Sequence, residues 1–215
     1  MLRVAAGLYK GRVLRGGSDA QIRPTMSRVK LSFFDAIQER IREKIFLDGF
    51  AGSGSMGIEA LSRGAEYVIF IDQLSEAVRT IRHNVAKIGV ASDHFRIIGG
   101  DFNRSVIALA KESFRFDIIY LDPPHSLLQV ANPLKVIYKR NILNSGGMVV
   151  LERPDDSRFH SDFFRLLRSQ RVGRECLDFY TYGDDSREGN HEEYDRGQSS
   201  GEINVGDKEK NEQGQ

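Results

Sequence analysis

Short apolar runs of period two recur along this chain, separated by stretches of helical period, and that alternation constrains the fold more than any other feature. Lys44–Asp48, Tyr67–Ile71, Phe95–Ile98, Asp117–Leu121 and Met148–Glu152 read as strands, while Met56–Arg63, Ser75–Ile88, Ser105–Lys111 and Val130–Arg140 read as helices between them. In Ser75–Ile88, Leu74, Ala77, Val78, Ile81, Val85 and Ile88 share one face and Gly89 follows as a C-terminal cap. Strands joined through crossover helices predict an α/β sheet. Pro24 and Thr25 open a further helix whose apolar stripe is Val29, Phe33, Phe34, Ile37 and Ile41. Phe164–Val172 and Glu175–Tyr180 meet at Gly173 with too few residues for a crossover, so they read as an antiparallel hairpin. Leu2–Ala5 and Arg12–Leu14, flanking a Gly7–Gly11 turn, predict a second hairpin at the N-terminus.

Charge divides the chain. From Asp184 to Gln215 ten acidic residues stand against four basic ones, and few apolar residues interrupt them, so this segment is expected to be a disordered acidic tail. The overall net charge of +1 therefore hides +7 on residues 1–183. The expected organisation is a basic hairpin at 1–22, one α/β domain at 23–183 and the tail at 184–215. No run approaches the roughly 18–20 apolar residues of a membrane span, and the N-terminus lacks the apolar core of a secretory signal. A soluble, cytoplasmic protein is expected. The single cysteine, Cys176, excludes a disulfide framework and reads as a small filler in a strand. His83, His94, His160 and His191 show no ligand spacing, so no metal is expected.

In an open parallel sheet the chemistry sits at the carboxyl ends of strands, so those residues are read first. Asp48-Gly49-Phe50-Ala51-Gly52-Ser53-Gly54 follows the first strand and precedes a helix. Glycines there admit close approach of a ligand to the backbone, and the helix N-terminus offers N–H groups. An aspartate ahead of the glycines suits an ammonium better than a pyrophosphate, which points to S-adenosylmethionine rather than a dinucleotide. Asp72, about 20 residues further on, can accept hydrogen bonds from ribose hydroxyls. Asp101 ends the third strand, where its carboxylate could reach an adenine amino group with Phe102 beside the ring. Asp122-Pro123-Pro124-His125 ends the fourth. Successive prolines stiffen that loop and cannot donate, so a rigid carboxylate and a free carbonyl can accept both N–H bonds of an exocyclic base amine. Among the first 30 residues Arg3, Lys10, Arg12, Arg15, Arg23, Arg28 and Lys30 face only Asp19, a density suited to phosphate contacts.

The chain resembles the bacterial small-subunit ribosomal RNA (guanine-N2)-methyltransferases from about Leu2 to Tyr180. The resemblance rests on Ala6-Gly7 with Tyr9-Lys10-Gly11-Arg12, Arg23-Pro24-Thr25, Leu47-Asp48 with Phe50-Ala51-Gly52-Ser53-Gly54, Gly57 to Ala65, and Asp122-Pro123-Pro124. It implies a Rossmann-like class I methyltransferase with a seven-stranded, mostly parallel sheet whose last strand is antiparallel, behind a basic hairpin. It also implies S-adenosylmethionine as donor and a guanine amine of 16S rRNA, free or in an assembly particle, as acceptor. On that basis Asp48, Phe50, Ala51, Gly52 and Gly54 line the methionine end, Asp72 takes the ribose, and Asp101 with Phe102 the adenine. Asp122, Pro123, Pro124 and His125 hold the target base, and Arg3, Lys10, Arg12, Arg15, Arg23, Thr25 and Arg28 contact RNA. A monomer is expected. The family usually has Tyr or Phe at position 125, a larger apolar residue at 49, and Arg where Lys30 stands. Two other functions fit the same residues: amine methylation of a different base, and a non-catalytic RNA-binding assembly factor.

Overall fold

The computed structural model describes residues 2–16, 24–124, 132–157 and 159–183. Seven strands form one sheet in the order β3-β2-β1-β4-β5-β7-β6. They are β1 (Ile45–Gly49), β2 (Tyr67–Asp72), β3 (Phe95–Gly99), β4 (Phe116–Leu121), β5 (Leu143–Pro154), β6 (Arg165–Val172) and β7 (Glu175–Thr181). β1 pairs parallel with β2 and β4, β2 with β3, and β4 with β5, whereas β7 is antiparallel to both β5 and β6. Strand order reverses at β1, leaving a crevice outside the carboxyl ends of β1 and β4.

Consecutive residues of each central strand enter different cores, as a period of two requires. Phe46, Phe70, Ile118, Tyr120 and Val150 pack beneath α1 (Pro24–Ile37), α2 (Ser55–Ser62) and α3 (Ser75–Ile88). Leu47, Ile71, Ile119, Leu121 and Val149 pack beneath α4 (Phe102–Lys111) and α5 (Pro133–Arg140). The predicted stripe of α1 is buried throughout, from Val29 to Ile41. Among the described residues no helix is long and apolar enough to cross a membrane.

Two elements begin earlier than their sequence-based bounds, and one residue differs in exposure, for local reasons. α4 begins at Phe102 instead of Ser105 because the Asp101 carboxylate accepts the Arg104 N–H at 2.9 Å and caps it. β5 begins at Leu143 because that residue pairs with Phe116 of β4, and the Asn-Ser-Gly-Gly segment forms an irregularity before pairing resumes at Met148 with Ile118. Leu74 is exposed although it falls on the apolar face of α3, since it precedes the helix as N-cap and its N–H donates to Asp72. The start of α5 expected at Val130 and the tail from Asp184 lie outside the described residues.

The N-terminal segment closes as a narrow hairpin, with an Arg3–Val13 bridge, Val4 N–H to Arg12 O at 3.0 Å and Leu14 N–H to Leu2 O at 2.9 Å. Leu2, Val4 and Leu14 join the core under α1 to α3, so the hairpin is part of the same hydrophobic body. Its turn crosses the end of α2 so tightly that a Cβ on Gly7, at φ +79°, would lie 1.7 Å from the Ser62 carbonyl oxygen. That carbonyl accepts the Leu8 N–H at 2.7 Å. Glu59 of α2 is fully buried beneath it and accepts the N–H groups of Ala5 and Ala6 at 2.8 and 2.9 Å. Its carboxylate also meets Lys30 Nζ of α1 at 3.2 Å and Arg63 Nε at 2.9 Å.

Removing one member of a buried, hydrogen-bonded ion pair strands the other. Glu59→Ala is therefore expected to cost about 3–5 kcal/mol in urea unfolding, because buried Lys30 and two hairpin N–H groups lose their acceptor. A loss below about 1 kcal/mol would mean that the hairpin is held by its apolar side chains alone.

Candidate active site

The glycine loop owes its shape to left-handed backbone conformations: Phe50 has φ +69°, Gly52 +53° and Gly54 +75°. The N–H groups of Phe50 and Ala51 both donate to the Ile71 carbonyl, which anchors the loop to β2. Asp72 fixes it from the side, accepting the Gly52 N–H at 2.8 Å and the Leu74 N–H at 2.9 Å. Gly57 serves packing: a Cβ there would lie 2.2 Å from the Phe70 ring, so α2 rests directly on β2.

The α1 face of the sheet collects acidic side chains at the crevice. Asp48 ends β1 with 2% of its surface exposed and accepts the Gly57 N–H at 2.8 Å. Asp122 follows β4, and Glu152 lies near the end of β5. All three line one cavity of about 110 Å³, together with Phe50, Ala51, Gly52 and Ser53 of the loop, Tyr120, and Lys30 of α1. Burial pushes the Asp48 carboxyl up to about 8, Asp122 and Asp72 add to the rise, and the Gly57 N–H opposes it. Glu152 is likewise pushed up to about 8 by burial and by Asp122, against the hydrogen bond it accepts from the Tyr120 hydroxyl. Lys30 is the only cationic side chain in the lining among the described residues. It is already engaged by Glu59, Ser55 and the Arg3 carbonyl, and burial lowers its pKa. The cavity is thus short of positive charge and suits a ligand carrying an ammonium and a sulfonium.

Asp48, Phe50, Ala51, Gly52 and Asp122 come together as the sequence suggests, and Asp72 supports the same loop. Pro123 is buried and Pro124 exposed. Asp101 spends one carboxylate oxygen on the α4 cap. Phe102 is 4% exposed and lies under Phe50, with ring centroids 4.8 Å apart and planes 23° from parallel. It fills the space below Gly49, where a Cβ would approach it to 2.6 Å, and so accounts for the missing apolar side chain at that position. Arg3, Lys10, Arg12, Arg15 and Arg28 are exposed, and Thr25 lies in the first turn of α1. Arg23 and His125 lie outside the described residues. Lys30 corrects the sequence reading: it is 4% exposed inside the Glu59 pair, where no phosphate reaches it. Glu152 and Tyr120 were missed. The acidic residue closing Leu151-Glu152-Arg153-Pro154 obeys the same strand-end rule as Asp48 and Asp122, and would have marked the first of them.

This sheet order, with its reversed β7 and its acidic residues at the carboxyl ends of β1, β2 and β4, is the fold of the S-adenosylmethionine-dependent methyltransferases. Solved structures agree. The Haemophilus influenzae methylase HI0767 superposes with a TM-score of 0.68 at 26% identity, covering 83% of this chain and 97% of that one. Escherichia coli yhhF shares the fold at a TM-score of 0.70 and 23% identity, over 84% of this chain and 97% of its own. The chain belongs to the family described as Conserved hypothetical protein 95, whose sequence profile matches residues 2–181. It is 31% identical to the Ribosomal RNA small subunit methyltransferase D of Haemophilus influenzae over 176 residues, 80% of this chain and 89% of that protein. Bacillus subtilis YlbH is 36% identical over 151 residues, 70% of this chain and 82% of its own. The chain is accordingly a methyltransferase of the S-adenosylmethionine-dependent type.

A carboxyl whose folded pKa is raised binds more protons in the native state than in the unfolded one, so stability falls as pH rises between the two values. For Asp48 that window runs from 3.8 to about 8. Asp48→Asn keeps an acceptor for the Gly57 N–H and removes the buried charge. The ligand-free variant is expected to melt above wild type at pH 8 and to lose that advantage near pH 4, at roughly 2–4 °C per kcal/mol regained. Parallel melting curves across this range would show that the Asp48 carboxyl has the same pKa in the folded and unfolded chain.

Proposed function

We propose that this chain methylates the exocyclic N2 amine of a guanine in small-subunit ribosomal RNA, with S-adenosylmethionine as donor. The observation that carries the reading is the pairing of Asp48 with Asp122 in one cavity, at the carboxyl ends of adjacent strands β1 and β4. Asp48 accepts the ammonium of the donor's methionine end, the loop from Phe50 to Gly54 closes over it, and Asp72 takes the ribose. Asp101 and Phe102 serve the adenine end, the latter through Phe50. The bound donor supplies an electrophilic methyl group on sulfonium sulfur. Asp122 and the carbonyl of Pro123 accept the two N–H bonds of the target amine and turn its lone pair toward that methyl; Pro124 keeps the loop stiff and His125 borders the base. Holding the amine in line and favouring positive charge on its nitrogen is catalysis by orientation and electrostatics.

RNA as substrate accords with the +7 charge of residues 1–183 and with the exposed Arg3, Lys10, Arg12 and Arg15 on the hairpin, whose Leu2 reaches the cavity. The small subunit is the target named for the Haemophilus influenzae relative. Mapping modified nucleotides by mass spectrometry in rRNA from cells with and without the gene tests the reading. One N2-methylguanine that disappears with the gene supports it, and loss of a methylated adenine or cytosine amine points to a different base.

Two substitutions check the division of labour. Asp122→Ala is expected to lower single-turnover methyl transfer about a hundredfold or more while leaving donor affinity nearly unchanged, since the lost contact acts on the amine. Transfer near the wild-type rate would remove Asp122 from the chemistry. Replacing Lys10, Arg12 and Arg15 together with Ala should weaken RNA binding and flatten its log-log salt slope by about two, at roughly 0.7 per phosphate contact on single strands. An unchanged slope would move the RNA to another face.

A further inference from the structure

One half-buried acidic group of the cavity, Glu152, has no part in the scheme above. The β4–β5 register pairs Tyr120 with Val150 and Leu121 with Leu151, so one step further Asp122 and Glu152 stand side by side on adjacent strands. Both face the α1 side of the sheet, and both line the cavity that holds Asp48. The Tyr120 hydroxyl, itself buried, donates to Oε2 of Glu152 and holds that carboxylate in place. Tyr120 is in turn fixed by the Phe33 ring, edge-on at 4.9 Å between centroids.

We infer that Glu152 receives the proton the target amine sheds on methylation, with Tyr120 as its positioning residue. The inference rests on the amine-methylation reading. As the nitrogen lone pair forms the N–C bond, the C–S bond breaks and its electron pair stays on sulfur, which becomes a neutral thioether. The nitrogen is left positively charged. It returns to neutrality by giving one N–H proton to Oε1 of Glu152, keeping that bond's electron pair, and Glu152 later passes the proton to water. Asp122 and the Pro123 carbonyl are acceptors that steer the amine; Glu152 is the neighbouring group whose affinity for a proton suits the neutral range. Its carboxyl is pushed up to about 8 in the ligand-free protein, and a cationic donor in the same cavity draws it back toward the charged form. The charged and titratable groups around it are Asp122 and Tyr120 of the β4 segment, Asp48 of β1, Glu175 of β7 and Lys30 of α1.

The test is single-turnover methyl transfer to rRNA at saturating enzyme and donor between pH 5.5 and 9, for wild type and Glu152→Gln, with donor and RNA affinities measured alongside. Wild-type rates should rise about tenfold per pH unit and then level off, as for one ionising base. The variant should be slower than the wild-type plateau by about a hundredfold, flat across the rising limb, and unchanged within about twofold in both affinities. A merely structural role would lower the rate by one factor at every pH, and that result, or a variant equal to wild type, overturns the inference. Tyr120→Phe gives an independent reading should E152Q fail to fold. Loss of the phenol should move the rising limb to higher pH, because its hydrogen bond favours the charged carboxylate, and an unmoved limb in folded Y120F overturns the inference as well. Wild-type N2-methylguanine with an indifferent E152Q removes Glu152 alone and leaves the amine reading standing. A methyl group delivered to a ring carbon or a ribose hydroxyl removes both.

Discussion

Everything on the α1 side of the sheet depends on keeping Glu59 satisfied. A carboxylate with no exposed surface is costly unless each lone pair finds a donor, and here the donors come from three places: the hairpin backbone, Lys30 of α1 and Arg63 one helical turn away. None of these can be withdrawn separately. The hairpin, α1 and α2 are therefore fixed relative to one another by a polar contact, and the apolar residues Leu2, Val4, Val29 and Ile58 fill in around it. Lys30 then stands at the cavity wall with its charge already answered, so the cavity keeps its acidic excess.

Asp48 and Glu152, both pushed up to about 8 in the same cavity, cost the ligand-free protein stability as pH rises, and a bound cation would offset that cost. Donor binding and folding are thereby linked through protons: binding should release protons from Asp48 and Glu152, and it should stabilise the protein more as pH rises.

Much of the architecture could be read from residue order alone, because the central strands alternate so regularly that Phe46/Leu47, Ile118/Ile119 and Val149/Val150 declare a sheet covered on both faces. Asp48, Asp72 and Asp122 were visible because each ends an apolar run. Glu152 ends such a run as well, but no glycine or proline follows it directly as at Asp48 and Asp122, and the β4–β5 register is what sets it beside Asp122. Lys30 misled for a related reason. A basic residue in a basic segment looks solvated until the partner it meets, Glu59, is found 29 positions away on another helix. The early start of α4 was hidden because a capping aspartate and a ligand-binding aspartate have the same residue type at the same strand end.

The exchange of volume between Gly49 and Phe102 has a consequence for how the pocket floor is held. With no side chain on β1 at that point, the surface beneath Phe50 is supplied by the first residue of α4, and α4 is secured at that end by Asp101. The floor thus belongs to a helix, which can slide or fray, rather than to the central strand, which cannot. Small displacements of the α4 N-terminus would be felt directly by the Phe50 ring above. Positions 49, 102 and 121 are accordingly tied: a Cβ at 49 would lie 2.6 Å from the Phe102 ring and 2.8 Å from the Leu121 side chain, so a larger residue there requires both to give way.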